Sequence, residues 1–160
     1  MRYVPVVAVL CMHAALAYGV CVSDGPDTHP TSQYILKGGT AFDKKTHLTW
    51  ERCSVGQTWQ DGKGCVGTVQ GLTRLQAELL EQNGWRLPTI EELETLVSRN
   101  CTHPAINEEV FPGMDAQSLY YWSKTSSREA SLDYLNFATG TVSADSDEEP
   151  FSVRLVHSGP

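Results

Sequence analysis

The stretch 69–82 shows an apolar pattern of helical period. Four leucines fall at the spacing of one helix face: Leu72, Leu75, Leu79 and Leu80. Asn83-Gly84 then ends the pattern, with Gly84 suited to the left-handed conformation that closes many helices. The sequence predicts a first helix over residues 69–82.

A second helix is predicted immediately afterwards. Pro88 keeps the residue before it extended, so 85–87 forms a short strand-like link. Thr89 and Glu92 then have the spacing of a capping box. Further apolar residues follow at helical spacing: Leu93, Leu96 and Val97. We expect this corner to be a packing centre, and the core predicted from the pattern comprises Trp50, Trp85, Leu87, Pro88 and Leu93.

The remaining pattern is that of short strands. Residues 40–43 and 46–50 form a predicted hairpin around Lys44-Lys45, with Phe42, Leu48 and Trp50 on one face. Strand-like runs also occupy 119–123, 132–137, 141–144 and 151–156, after an irregular stretch over 98–117. Two early helices, a late set of short strands and long loops between them predict a single α+β domain.

The first residues resemble an export signal. Residues 4–15 are mostly apolar, and Ala15-Leu16-Ala17 is a small-x-small cleavage site. The apolar run is shorter than the ~20 residues that span a bilayer. We therefore expect a signal peptide over 1–17, a flexible arm over 18–33, one domain over 34–157, and no membrane insertion after cleavage. The expected location is the periplasm, the cell surface or the medium.

Signal removal leaves four of the five cysteines, an even number that indicates disulfides in an exported protein. Cys53 and Cys65 flank a polar loop, residues 54–64, that has little apolar content to hold it in place. We predict a bridge between them and a second bridge between Cys21 and Cys101. No pair has the C-x-x-C spacing typical of zinc ligands, so a zinc site is not expected. We also expect no other metal and no cofactor.

The formal net charge of the 160-residue chain is −7, and basic residues are scattered apart from Lys44-Lys45. Nucleic acids require a basic stripe. We therefore expect no nucleic-acid partner.

Several segments carry a family resemblance when taken in order. They are Phe42 to Trp50, Gly84-Trp85-Arg86-Leu87-Pro88-Thr89 with Glu92-Leu93, Tyr121-Trp122-Ser123, Phe137 to Gly140, and Val153 to Val156. Together they resemble the Lcl C-terminal domain family, found in collagen-like bacterial surface adhesins and in small secreted bacterial proteins. The resemblance implies a fold similar to C-type lectins and formylglycine-generating enzymes, with the two helices packed on a small twisted antiparallel sheet that carries long loops. It also places Trp122 in the core and suggests an adhesin that binds sulphated glycans as a trimer. This chain lacks a collagen repeat, and its negative charge opposes a polyanionic ligand.

Aromatic residues supply the candidate binding sites. Tyr120 and Tyr134 are predicted surface residues, since alternation along the strand separates Tyr120 from Tyr121. Trp59 lies in the polar loop with Gln57 and Lys63 around it. That tryptophan either presents a rigid contact or folds back as a plug, and the sequence leaves both open. We expect ligand binding by Trp59, Gln57, Lys63, Tyr120 and Tyr134.

The acidic run 145–149 lacks the spaced ligand register of a calcium loop, so we expect a solvated turn. No histidine pairs with a serine or cysteine in a nucleophile motif. The sequence thus predicts an exported, non-catalytic, adhesin-like module that recognises a protein surface or a glycan, with homo-oligomers possible. The alternatives are a periplasmic or cell-surface assembly factor that binds another protein and, more weakly, an enzyme of formylglycine-generating-like fold. Clustering of the bases on one face would favour a sulphated glycan: Arg52, Lys63, Arg74, Arg86, Lys124 and Arg128.

Overall fold

The computed structural model describes residues 20–22, 28–116, 118–126, 131–146 and 148–160. The predicted signal segment 1–17 lies outside these ranges, as does part of the predicted arm. The strands are β1 Val20–Cys21, β2 Tyr34–Lys37, β3 Thr40–Asp43, β4 Leu48–Glu51, β5 Gln57–Gln60, β6 Gly64–Gly67, β7 Trp85–Arg86, β8 Cys101–Thr102, β9 Tyr120–Trp122, β10 Ser131–Asn136, β11 Thr141–Ser146 and β12 Val156–Ser158. The helices are α1 Arg74–Glu78 and α2 Ile90–Glu94, with a 3₁₀ turn at Thr31–Gln33.

The strands form two antiparallel sheets and two small ladders. One sheet has the order β2-β3-β4-β12-β7, and the other has the order β11-β10-β9. β1 pairs with β8, and β5 pairs with β6. This small domain of mostly antiparallel strands with two short helices is consistent with the predicted α+β class, although the strands divide among several sheets instead of one.

The main core lies between the two sheets. Trp50 and Val156 contribute from the five-stranded sheet, Tyr121 and Leu135 from the three-stranded sheet, and Leu93 from α2. A second cluster surrounds Trp122 on the opposite side of β9. Of the predicted core residues, Trp50, Leu87, Pro88, Leu93 and Trp122 are buried.

The corner before α2 has the predicted cap. The Thr89 hydroxyl accepts a hydrogen bond from the Glu92 N–H, and the Glu92 carboxylate accepts one from the Thr89 N–H. Glu92 also forms an ion pair with Arg86 at 2.7 Å, so one carboxylate joins β7 to the helix. Trp85, however, is only partly buried, and its ring contacts the His157 ring at 5.7 Å. The strand places this side chain on the face opposite to Trp50, paired with His157, where it packs against the second core cluster without being fully enclosed.

Helix α1 is much shorter than predicted. A capping box at Thr73 and Gln76 starts the helix only at Arg74, so Leu72 precedes it and pairs with Phe151 instead. Leu75 and Leu79 are 69% and 83% exposed, and the buried residue of the helix is Ala77. Asn83 and Gly84 both have positive φ in a tight turn between Gln82 and Trp85, rather than closing the helix.

The predicted hairpin forms, but its faces differ from expectation. Ala41 pairs with Trp50 and Asp43 pairs with Leu48, which places all four on the core face. Phe42 pairs with Thr49 on the outer face, so its predicted location was wrong. Asp43 faces inward because its carboxylate accepts hydrogen bonds from the side chain of Gln33 and from the turn at residues 45 and 46.

Both predicted disulfides are present. Cys53 is bonded to Cys65, and Cys21 is bonded to Cys101. The segment predicted as a polar loop is instead the hairpin β5–β6, whose strands pair from Gln57 to Gly67. The first bridge joins this hairpin to the end of β4, and the second joins β1 to β8.

Candidate ligand-binding surfaces

The predicted tyrosines come together on the three-stranded sheet. The rings of Tyr120 and Tyr134 lie 5.6 Å apart, and both contact Phe151, at 5.5 and 4.7 Å. We call Tyr120, Tyr134 and Phe151 the tyrosine face. Tyr120 is 43% exposed, whereas Tyr134 and Phe151 are partly buried.

Trp122 lies beside the tyrosine face, on the same side of the sheet, and is paired with Tyr134. Its ring is fully buried, lies 4.5 Å from Phe151, and is oriented by a hydrogen bond from Nε1 to the carbonyl oxygen of Leu72. The Trp122 ring also meets the Tyr134 ring edge to face at 6.3 Å, a geometry that holds aromatic rings in fixed positions. The tyrosine face is therefore pre-organised, and the entropy cost of binding to it is small.

Polar residues continue this surface towards the sheet edge. In the β9–β10–β11 register, Asn136 pairs with Tyr120 and with Thr141, and Ser143 pairs with Tyr134, so all share one face. Thr141 and Ser143 are exposed. An aromatic patch bordered by small hydroxyl side chains can contact apolar surface and also exchange hydrogen bonds.

Trp59 lies in the β5–β6 hairpin and folds back against the body of the domain. The guanidinium of Arg52 lies 3.9 Å from its ring centroid, and its Nε1 donates to the Asp61 carboxylate at 2.8 Å. A Cβ added at Gly39 would lie only 2.9 Å from the Trp59 Cβ. Trp59 is only partly exposed, so much of its surface serves packing.

A cleft of about 320 Å³ separates the hairpin from β3 and β4. We call it the hairpin cleft. It is lined by Gly39, Thr40, Glu51, Cys53, Gln57, Thr58 and Trp59. Glu51 pairs with Thr40 in the β3–β4 ladder, which places both on the outer face of the sheet. Burial raises the pKa of Glu51 above its ordinary value, and the positive charge of Arg154 partly offsets that rise.

The other two predicted ligand residues differ in availability. Gln57 is committed to structure, since its Nε2 donates to the Gly113 carbonyl and its Oε1 accepts from the Ser54 N–H. Lys63 is exposed in the turn between β5 and β6. The structure thus brings Tyr120 and Tyr134 together, and places Trp59 and Gln57 in a separate group beside the hairpin cleft.

Much of the positive charge is used internally. Arg52 donates to the carbonyl oxygens of Gly38, Glu109 and Val110. Arg154 is fully buried and donates to the carbonyl oxygens of Glu51 and Arg52.

Arg74 and Arg86 pair with Glu78 and Glu92. Of the six bases considered above, Lys63 and Lys124 are exposed, and Arg128 lies outside the described residues. Three of the six are therefore engaged within the domain, which counts against a basic face.

The acidic turn adds no recognisable site. Asp145, Glu148 and Glu149 are exposed, and the described residues contain no group of three or more side chains arranged to hold a metal ion. None of the helices in the described ranges is long and apolar enough to span a membrane.

Two residues of these surfaces were not predicted as site residues. Phe151 opens the last strand-like run, and its ring completes the tyrosine face only because residues 151 and 152 pair back onto Leu72 and β9. Glu51 follows the buried Trp50, so simple alternation along β4 would have placed it on the outer face. The hydrophobic pattern of the sequence shows neither the approach of Phe151 to the tyrosines nor the approach of the β5–β6 hairpin to Glu51.

The model of the Lcl C-terminal domain family matches residues 39–157. The match includes the hairpin cleft, both helices and the whole tyrosine face. No curated protein gives a significant match to the chain.

Proposed function

The chain belongs to the Lcl C-terminal domain family, and from this membership we propose that it is an exported, non-catalytic binding domain of adhesin-like function. The family indicates a small secreted or surface domain, and the two disulfides are compatible with an extracellular or periplasmic location. The proposed ligand is a protein surface or a neutral glycan.

The tyrosine face is the observation that carries this proposal. Tyr120 and Tyr134 offer amphipathic rings that are rigidly supported by Trp122 and Phe151. Tyrosine is enriched at the centres of binding sites because one ring supplies a large contact area with little loss of side-chain entropy. The hydroxyl side chains beside it suit a partly polar partner.

Charge disfavours a sulphated polysaccharide as the ligand. The chain carries a net charge of −7, and Arg52, Arg74 and Arg86 are occupied by contacts within the domain. A polyanion would approach a predominantly negative surface, and screening at physiological salt acts only beyond ~8 Å. We therefore propose that this member differs in ligand class from an adhesin for sulphated glycans.

We also propose that the domain is a variant of the C-type-lectin-like fold. Two short helices on antiparallel strands with long connections support this. A structural superposition on a C-type lectin that failed to match the order of β3, β4, α2 and β9–β12 would refute it.

A glycan array and a pull-down of surface proteins test the function. Tyr120→Ala and Tyr134→Ala should each weaken binding of the captured ligand by about tenfold or more, as expected for the loss of a central aromatic contact. Leu79→Ala, which removes an exposed apolar side chain from α1, is the matched control and should bind like the wild type.

Retention on heparin at physiological salt, lost in Lys63→Glu, would contradict the proposed ligand class. Unchanged binding in both tyrosine variants would contradict the tyrosine face as the site. If only another protein is captured and that protein requires the domain for its assembly, the assembly-factor alternative replaces the adhesin-like function.

A further inference from the structure

We propose that the hairpin cleft is a second binding site, specific for a neutral polyol such as a sugar ring, which places two vicinal hydroxyls against the carboxylate of Glu51. This goes beyond the proposed function, because it holds whatever the tyrosine face binds.

The size of the cleft suits one small ring. Its volume of about 320 Å³ lies at the lower end of the range for small-molecule sites, roughly 300–1,000 Å³. Glu51 and Thr40 line it from the sheet, and Thr58 and Trp59 line it from the hairpin. Polar groups and an aromatic wall thus converge on one cavity.

The Glu51 carboxylate accepts no hydrogen bond from the part of the chain that the structure describes. Among the described residues, no hydrogen bond or ion pair reaches its oxygens, although the backbone carbonyl of Glu51 accepts from Arg154. A partly buried carboxylate without donors is costly, and that cost is consistent with the raised pKa of Glu51. The two oxygens of an ionised carboxylate can only accept hydrogen bonds, and two adjacent hydroxyl groups of a ligand can donate one to each of them.

The surrounding charges favour a neutral ligand over an ion. The buried Arg154 guanidinium donates to the backbone carbonyl of Glu51, and the Arg52 guanidinium lies against the Trp59 ring. These two positive charges would repel a cationic ligand, whereas Glu51 and the negative net charge of the chain would repel an anion. Hydroxyl groups satisfy Glu51 without either penalty.

The walls of the cleft are held in place before any ligand arrives. Trp59 is fixed by Arg52 on its ring and by Asp61 on its Nε1. The hydroxyl of Thr40 donates to the Lys37 carbonyl, which leaves its oxygen lone pairs available to a ligand hydroxyl. The disulfide between Cys53 and Cys65 joins the hairpin to the strand that carries Glu51. Such pre-organisation reduces the entropy lost on binding.

The test is a titration of the full-length chain with neutral methyl pyranosides of gluco, galacto and manno configuration, which present different pairs of vicinal hydroxyls. The readout is the ¹⁵N–¹H signal of the Trp59 indole. We expect at least one glycoside to shift this signal saturably in the millimolar range. Glu51→Gln should weaken that binding by about tenfold or more, since it removes a charge-assisted hydrogen-bond acceptor.

Two controls separate the carboxylate from general effects. Glu148→Gln makes the same change of net charge at an exposed position and should bind like the wild type. Glu51→Asp keeps the charge but withdraws the oxygens by one methylene, so it should also weaken binding. Tyr120→Ala should leave the Trp59 shift unchanged, which distinguishes failure of this site from failure of the tyrosine face.

Three results would overturn the inference. The first is no saturable shift with any of the glycosides. The second is an unchanged affinity in Glu51→Gln. The third is a response only to a charged probe, methylammonium or methyl glucuronide, which would make the cleft an ion site.

Discussion

Replacement of Arg154 should be among the most destabilising single changes in this domain. Its side chain is fully buried and lies 5.0 Å from the Phe111 ring. The guanidinium donates to the carbonyl oxygens of Glu51 and Arg52 and to the hydroxyl of Ser54. These acceptors belong to the end of β4 and the chain after it, so Arg154 joins the C-terminal part of the chain to the middle of the sheet.

The magnitude follows from the acceptors left without a donor. Each buried carbonyl that loses its partner costs about 1–3 kcal/mol. Loss of the side-chain volume adds a cavity, while removal of an arginine without a carboxylate partner recovers part of its desolvation cost. We therefore expect Arg154→Ala to lower the free energy of unfolding by about 3–5 kcal/mol, and Arg154→Met, which retains much of the volume, by about 2–4 kcal/mol.

Urea unfolding monitored by tryptophan fluorescence, with both disulfides intact, measures these differences. Arg74→Met is the control, because its ion pair with Glu78 lies on the surface of α1 and should contribute about 0–1 kcal/mol. Arg154→Met within about 0.5 kcal/mol of the wild type would refute the reasoning, since it would show that the carbonyl oxygens do not depend on the guanidinium.

Trp122→Ala should lower the free energy of unfolding by about 3–5 kcal/mol and Trp85→Ala by less, because only the Trp122 ring is fully buried; equal losses in urea unfolding would contradict this. Burial alone would raise the pKa of Glu92, but hydrogen bonds from Arg86 and the helix cap lower it, so its stabilisation is present above pH ~4.3 and is lost as the pH falls through the folded-state pKa. The stability gap between the wild type and Glu92→Gln should therefore narrow on acidification, and a constant gap would argue against the ion pair. The pKa of Glu51 is shifted in the opposite direction, upward, so its ionisation lowers the free energy of unfolding as the pH rises through the folded-state pKa. Glu51→Gln should therefore have a higher melting temperature than the wild type at pH ~7 and the same melting temperature below pH ~4. A lower melting temperature of Glu51→Gln at neutral pH would contradict the unpaired carboxylate. Millimolar calcium should leave the melting temperature unchanged, and a rise reversed by chelator would show that the acidic turn 145–149 binds the ion.

Local signals in the sequence predicted the local structures well. The structure contains the predicted capping box at Thr89 and Glu92 and the predicted strand that includes Tyr120. Both features depend on neighbours within a few residues. The pairing of Cys53 with Cys65 likewise follows from a short intervening segment.

Errors arose where distant contacts decide the outcome. Leu75 and Leu79 have helical spacing but lie on the exposed side of α1, because Leu72 is drawn into pairing with Phe151. The direction of Asp43 depends on Gln33, ten residues away. The hairpin cleft lies between β4 and β5, and the hydrophobic pattern of the sequence does not indicate that these two strands lie close together.

The disulfide between Cys21 and Cys101 also determines how the domain carries mechanical load. A pull on the chain before Cys21 passes through the sulfur bridge to Cys101, so the segment between these residues is a closed covalent loop that the pull cannot lengthen. That loop contains the hairpin cleft and both helices, whereas β9 to β12, with the tyrosine face, lie beyond it. If the two ends of the described chain were pulled apart, the tension along the backbone would bypass the segment with the cleft and act on the segment with the tyrosine face.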